Sequence, residues 1–144
     1  MPAVSPFSPS RVWSTRIFEP VGAPISALLI DDDERIAQAL AAVLEVEGFD
    51  VRIADCVHCF KIVEQWAPSV VLLDMEMPVM NGFRVAKELR KLNHCVRTPI
   101  IAHTSLAEDD VRLQGIPAGI DAYCRKGDAP HALIALIKAI VASG

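Results

Sequence analysis

From residue 25 onward the sequence alternates five short apolar runs with longer segments of helical periodicity, an alternation that few folds accept. The runs are SALLI (26–30), VRI (51–53), VVLL (70–73), PIIA (99–102) and AYC (122–124). They are too short for helices and apolar at nearly every position, as strands buried on both faces of a parallel sheet must be. The segments near 34–47, 56–66, 82–92, 106–114 and 130–142 read as helices. Strand-helix alternation predicts the α/β class: a doubly wound, five-stranded parallel sheet with helices on both faces. Gly48 predicts a helix stop, Asp128 with Pro130 a helix start, and Pro117 a helix cut short.

Residues 1–24 do not fit this pattern, being rich in Pro and Ser and without apolar period. They read as a tail that is disordered or loosely docked, and residues 25–144 as one domain. An organelle transit peptide, which Arg11, Arg16 and the scarcity of acids would also allow, is the less favoured reading. The net charge of −4 comes with no basic cluster, which argues against a nucleic-acid partner. No apolar run could span a bilayer, so no membrane partner is expected. The four cysteines read as free thiols in a cytoplasmic protein. Cys56 and Cys59 have Cys-x-x-Cys spacing, but no second half of a zinc site follows, and they read as one buried and one half-buried small residue.

In an open sheet of this kind, ligands gather beyond the carboxyl ends of the strands. Asp31 and Asp32 follow the first run, Asp74 the third, Thr104 the fourth and Lys126 the fifth, so all five converge on one sheet edge. Crowded carboxylates repel one another unless a cation sits among them, and hard oxygen ligands suit Mg²⁺. A hydroxyl and an ammonium beside them suit phosphate oxygens. The cluster points to a metal-assisted phosphoryl site with one carboxylate as nucleophile.

Four motifs, LLIDDDER, VVLLDMEMPVMNG, PIIAHTS and AGIDAYCRKGDAP, together resemble the response-regulator receiver family over residues 26–142. The resemblance implies the flavodoxin-like strand order 2-1-3-4-5, with Asp74 as phosphoacceptor. It implies that Asp31, Asp32 and Asp74, with the backbone carbonyl of Glu76, hold Mg²⁺ or Mn²⁺, and that Thr104 and Lys126 bind the phosphate. Thr104 and Tyr123 would form the switch, although an aromatic packed at a strand end explains Tyr123 equally well. Pro78 would shape the loop after the acceptor, and Gly82 would permit the tight turn into the next helix. The implied role is in two-component phosphorelay signalling, with a histidine kinase or phosphotransfer protein as phosphodonor. The protein would not be an enzyme beyond catalysing slow loss of its own phosphate. Its output would be contact with a downstream protein or a second copy, since nothing after the last helix could serve as an effector domain. The alternative is a module of the same fold that docks without ever carrying phosphate.

Three positions depart from the family pattern. Gly127 stands where many receivers have proline, Ser105 where they have a small Ala or Gly, and His103 where they have an apolar residue. Period-two alternation puts His103 on the opposite side of its strand from Thr104, as a core histidine rather than a base. The DMEM stretch does not match the acid pair of haloacid-dehalogenase-type phosphatases, which need Asp in the place of Glu76. Trp66 is expected to pack a helix end. In the last helix Leu133, Ile134, Ile137, Ile140 and Val141 form the sheet-facing arc, with Leu136 at its edge. Ala132, Ala135, Ala139 and Ala142 form an outward face expected to meet a partner or second copy.

Overall fold

The computed structural model describes residues 10–14, 16, 18, 21–22 and 24–141. Among the described residues six strands form one sheet: β1 (Ser10–Val12), β2 (Ser26–Ile30), β3 (Asp50–Ala54), β4 (Val70–Leu73), β5 (Ile100–Thr104) and β6 (Ala122–Arg125). The parallel strands β2 to β6 stand in the order β3-β2-β4-β5-β6, which is the expected 2-1-3-4-5. The helices are α1 (Glu34–Val46), α2 (Cys59–Gln65), α3 (Gly82–Arg90), α4 (Glu108–Ala118) and α5 (Pro130–Val141), with a short 3-10 turn at Asn93–Cys95.

Side chains alternate across the parallel strands, and that alternation divides the core in two. Leu28, Ile30, Val71, Leu73, Ile100 and Ala102 pack with α2, α3 and α4, while Ala27, Leu29, Val70, Leu72 and Ile101 pack with α1 and α5. Every residue of β4 is buried, as the continuous VVLL run requires. Gly48 ends α1 with a φ of +91°, open to it because it has no Cβ.

The sheet has one strand more than expected, and it comes from the expected tail. Ser10–Val12 runs antiparallel beside β6, with Arg11 opposite Tyr123. An edge strand of three residues is held by backbone bonds on one side and needs no apolar alternation, so Pro/Ser-rich sequence conceals it. Residues 1–9 of the expected tail, and Ala142 of the expected outward face, lie outside the described residues.

Three boundaries also move. β5 runs to Thr104, placing that residue within the strand rather than after it. α2 begins only at Cys59, and both Cys56 and Cys59 are buried, at 4% and 0% exposure. Pro117 does not cut α4 short, because it sits in the last turn and the carbonyl it leaves free belongs to the outward-facing Leu113. The helix stops at Gly119, with a φ of +97°, after Gly119 and Ile120 N–H return to the Ile116 and Gly115 carbonyls. In α5 the sheet-facing arc includes Leu136, whereas Ile134 is half-buried and Ala135 and Ala139 are exposed. Trp66 caps α2 as expected, with the Arg52 guanidinium 4.4 Å from its ring centroid.

Candidate functional site

Strands β2 and β4 end side by side, and each delivers a carboxylate at its last turn. Asp31 N–H donates to the Ala54 carbonyl and Asp74 N–H to the Ile30 carbonyl, so both backbones are fixed by sheet bonds before the side chains emerge. Asp31 and Asp74 are buried, and Asp32 is exposed beside them. Ligand oxygens of all three lie within 4.8 Å of one another. Asp33 does not join them: its carboxylate caps α1, accepting from the Arg35 and Ile36 N–H groups.

Lys126 follows β6 and reaches across, its Nζ 2.8 Å from Asp31 Oδ2 and 3.4 Å from Asp74 Oδ2. Burial pushes the Asp74 carboxyl up to about 6, although the Glu76 N–H and the Lys126 charge both oppose the rise. Burial also works against the Lys126 ammonium, but the bonds to Asp31 and the Asp74 charge outweigh it and hold the lysine above its ordinary value. Without a second cation the cluster is thus short of positive charge, which is the fit a hard divalent ion needs. An open cleft of about 500 Å³ leads to Asp31 and Asp32, lined also by Glu34, Asp55 and His58.

The loop after β4 is set by a glycine. The first turn of α3 lies against the backbone of Asp74 and Met75, and Gly82 N–H donates to the Met75 carbonyl at 3.1 Å. A Cβ on Gly82 would meet the Asp74 carbonyl oxygen and lie 2.8 Å from Met75 Cα. Close approach, rather than a left-handed turn, is what demands glycine here. Pro78 lies exposed in the intervening loop. Glu76 N–H donates to Asp74 Oδ1 at 3.2 Å, and the Glu76 carboxylate accepts from Ser105 Oγ at 3.3 Å.

Thr104 is fully buried, its Oγ1 accepting from Leu106 N–H at 3.2 Å, and the Thr104 carbonyl accepts from Lys126 N–H at 2.8 Å. Tyr123 is 3% exposed, and its hydroxyl donates to the Leu106 carbonyl at 2.6 Å. His103 lies on the other face of β5, half-buried, and burial with the Lys126 charge lowers it to about 4, so it is neutral at pH 7. Gly127 has a φ of +87°, which proline, fixed at about −65°, cannot adopt.

Two arrangements had no sequence signal. Asp55 accepts from Val57 and His58 N–H and from the His58 ring, closing the turn that carries the Cys-x-x-Cys stretch. Cys59 Sγ donates to the Cys56 carbonyl, and burial pushes its thiol up to about 12, the opposite of a metal-ligand or redox thiol. The second is an ion pair below the site. Arg90 Nη2 lies 2.7 Å from Asp121 Oδ2, which also accepts from Ile100 N–H. Among the described residues no helix is long and apolar enough to cross a membrane.

Comparison with known proteins converges on one family. The model for the response regulator receiver domain matches residues 27–138. The transcriptional regulatory protein CpxR homolog of Haemophilus influenzae is 38% identical over 116 residues, covering 79% of this chain and 49% of that protein. The chain spans about half the length of the curated relatives it matches. Among solved structures, chemotaxis protein CheY4 of Vibrio cholerae is similar with a TM-score of 0.77 at 25% identity, covering 80% of this chain and 97% of that one. The receiver domain of a Pseudomonas aeruginosa sensor histidine kinase, with a magnesium ion coordinated in its active site cleft, gives a TM-score of 0.74 at 25% identity, over 81% and 96% of the two chains.

Proposed function

The chain belongs to the response regulator receiver domain family of two-component signalling, and from that premise we propose that Asp74 accepts a phosphoryl group from the phosphohistidine of a histidine kinase or phosphotransfer protein. The observation that carries this reading is the gathering of Asp31, Asp32 and Asp74 within 4.8 Å, with Lys126 bridging two of them. One Asp74 oxygen attacks phosphorus in line, the phosphorus–nitrogen bond breaks, and its electron pair returns to the histidine ring. Asp31, Asp32, Asp74 and the Glu76 carbonyl are the groups that would hold Mg²⁺, which supplies neutralisation of the phosphoryl oxygens. Lys126 then exchanges a carboxylate partner for a phosphate oxygen, and the Thr104 hydroxyl turns to another.

Residues 25–144 constitute the receiver domain in this reading, and water attacking the same phosphorus accounts for a slow loss of phosphate. The output is contact with a downstream protein or a second copy, for which the exposed Ala135 and Ala139 of α5 offer close approach. Four free, buried cysteines accord with a reducing cytoplasm.

Incubation with Mg²⁺ and acetyl phosphate, read by intact mass, tests the proposal. It predicts one added phosphoryl group in the wild type and none in Asp74→Asn or without divalent metal. An adduct that persists in Asp74→Asn would refute it.

A further inference from the structure

The outward side of α3 and its C-cap carries a row of cations. Arg84, Lys87 and Lys91 recur at the three- and four-residue spacing that brings side chains to one side of a helix, and they span about 10 Å along its axis. The row lines an open cleft of about 610 Å³, together with the end of α4 from Pro117 to Gly119, with Val96, and with Arg16 and Arg90.

Five cations thus meet in a chain whose net charge is −4. Two carboxylates stand against them: Glu88, whose Oε1 lies 3.0 Å from Lys91 Nζ, and Asp121, which Arg90 and Arg16 share. Arg16 and Arg90 also donate to the same Val96 carbonyl, at 2.9 and 3.2 Å, so two guanidiniums lie side by side. Burial lowers Arg90 against the pull of Asp121, and the Arg16 charge adds to the fall. Among the described residues Arg84 and Lys87 have no charged partner.

Helix stability does not account for the row. Lys87 and Arg90 in the last turn of α3 suit the helix dipole, but Arg84 stands in the first turn, which holds no acid and where the dipole opposes a cation. Like charges at this spacing also repel one another along the helix. An anionic partner laid on the row relieves both. A protein on duplex DNA neutralises about 6–10 phosphates, more than a row this short in an acidic chain can reach. Val96, 45% exposed, and the exposed Pro117 set apolar surface beside the charges, as protein interfaces do.

We infer that the cleft between α3 and the end of α4 docks an acidic segment of a partner protein, its carboxylates on Arg84, Lys87 and Arg16 and an apolar side chain on Val96. Charge complementarity sets the choice of partner. The docking does not require phosphate on Asp74, so it stands independently of the acceptor reading.

The test uses the full chain and a synthetic peptide of glutamates around a central pair of leucines. Two controls accompany it: the same peptide with glutamine for glutamate, and oligothymidylate. Amide chemical shifts followed by NMR locate each ligand, and their titration gives its affinity. The glutamate peptide should shift the amides of Arg84, Lys87, Lys91 and Val96, and salt should weaken it. The double variant Arg84→Ala with Lys87→Ala should bind it about fivefold more weakly or worse, as two lost exposed ion pairs require. Both residues are exposed on the helix, so the double variant keeps the wild-type spectrum elsewhere. The glutamine peptide should not bind. Absent binding, shifts scattered outside the cleft, unchanged affinity in the double variant, or equal binding of the glutamine peptide overturns the proposal. Tighter binding of oligothymidylate at the same amides gives the cleft to nucleic acid and overturns it as well.

Discussion

Lys126 Nζ lies 2.8 Å from Asp31, closer than the 3.4 Å that separates it from Asp74. The lysine is thus the resident counter-ion of the acidic cluster when no metal is bound. Lys126→Met should destabilise the metal-free domain by about 1.5–3 kcal/mol, the range for hydrogen bonds to charged groups. Saturating Mg²⁺ should recover most of that loss. Urea denaturation with and without Mg²⁺ measures both, and a deficit that Mg²⁺ leaves unchanged would contradict the counter-ion role.

Gly82→Ala should damage stability and chemistry together. Its Cβ would meet the Asp74 carbonyl, so either α3 or the loop after β4 must move. The expected cost is about 1–3 kcal/mol, as for other overpacked sites, with slower uptake of phosphate from acetyl phosphate. Normal uptake at full stability would mean that the loop yields freely.

Asp121→Ala removes the carboxylate that balances Arg90, a guanidinium only 12% exposed. Leaving that charge buried without its partner should cost about 3–5 kcal/mol. Arg90→Met in the same chain removes the orphaned charge but strands the carbonyls that the guanidinium holds, so the double variant should lose less than the two single variants summed. Chemical denaturation of both single variants and the double variant gives the coupling directly.

Cys59 predicts an alkaline limit. Its thiol titrates near 9.0 in the unfolded chain but at about 12 in the fold, because burial disfavours the thiolate. A raised folded value means the contribution is complete below pH 9 and is lost as pH climbs toward 12. At pH 10.5 the loss amounts to roughly 2 kcal/mol. Cys59→Ala should flatten the fall in stability across that window, and parallel slopes for the two proteins would count against the assignment.

The parallel sheet was legible because buried parallel strands carry uninterrupted apolar runs, and VVLL has no other comfortable place. The gathering of Asp31, Asp32, Asp74 and Lys126 followed from strand order alone, since each stands just past a strand end. β1 was not legible, because backbone pairing at a sheet edge leaves no pattern in side chains. Pro117 misled for a related reason: a proline is tolerated wherever the carbonyl it strands can meet water, and sequence does not report which face Leu113 occupies. The close approach of Gly82 to Asp74 and Met75 was not legible, because it is a tertiary contact that leaves no local pattern. The Arg90–Asp121 pair joins residues 31 apart whose types are common on any surface.

Arg90 does more than neutralise Asp121. Its guanidinium donates to the carbonyls of Cys95, Val96, Thr98 and Gly119 as well as to the carboxylate. One side chain therefore closes the turn after α3, the end of α4 and the approach to β6. Beside Arg90, the Val96 carbonyl accepts from Arg16 and the Cys95 carbonyl from Thr98 N–H, whereas the Thr98 and Gly119 carbonyls lean on the guanidinium. The turn after α3 and the end of α4 are accordingly tied to one side chain, so that opening of either weakens the hold on the other. Lysine could not replace the arginine there, since an ammonium carries three donors at one point and the acceptors stand around a plane.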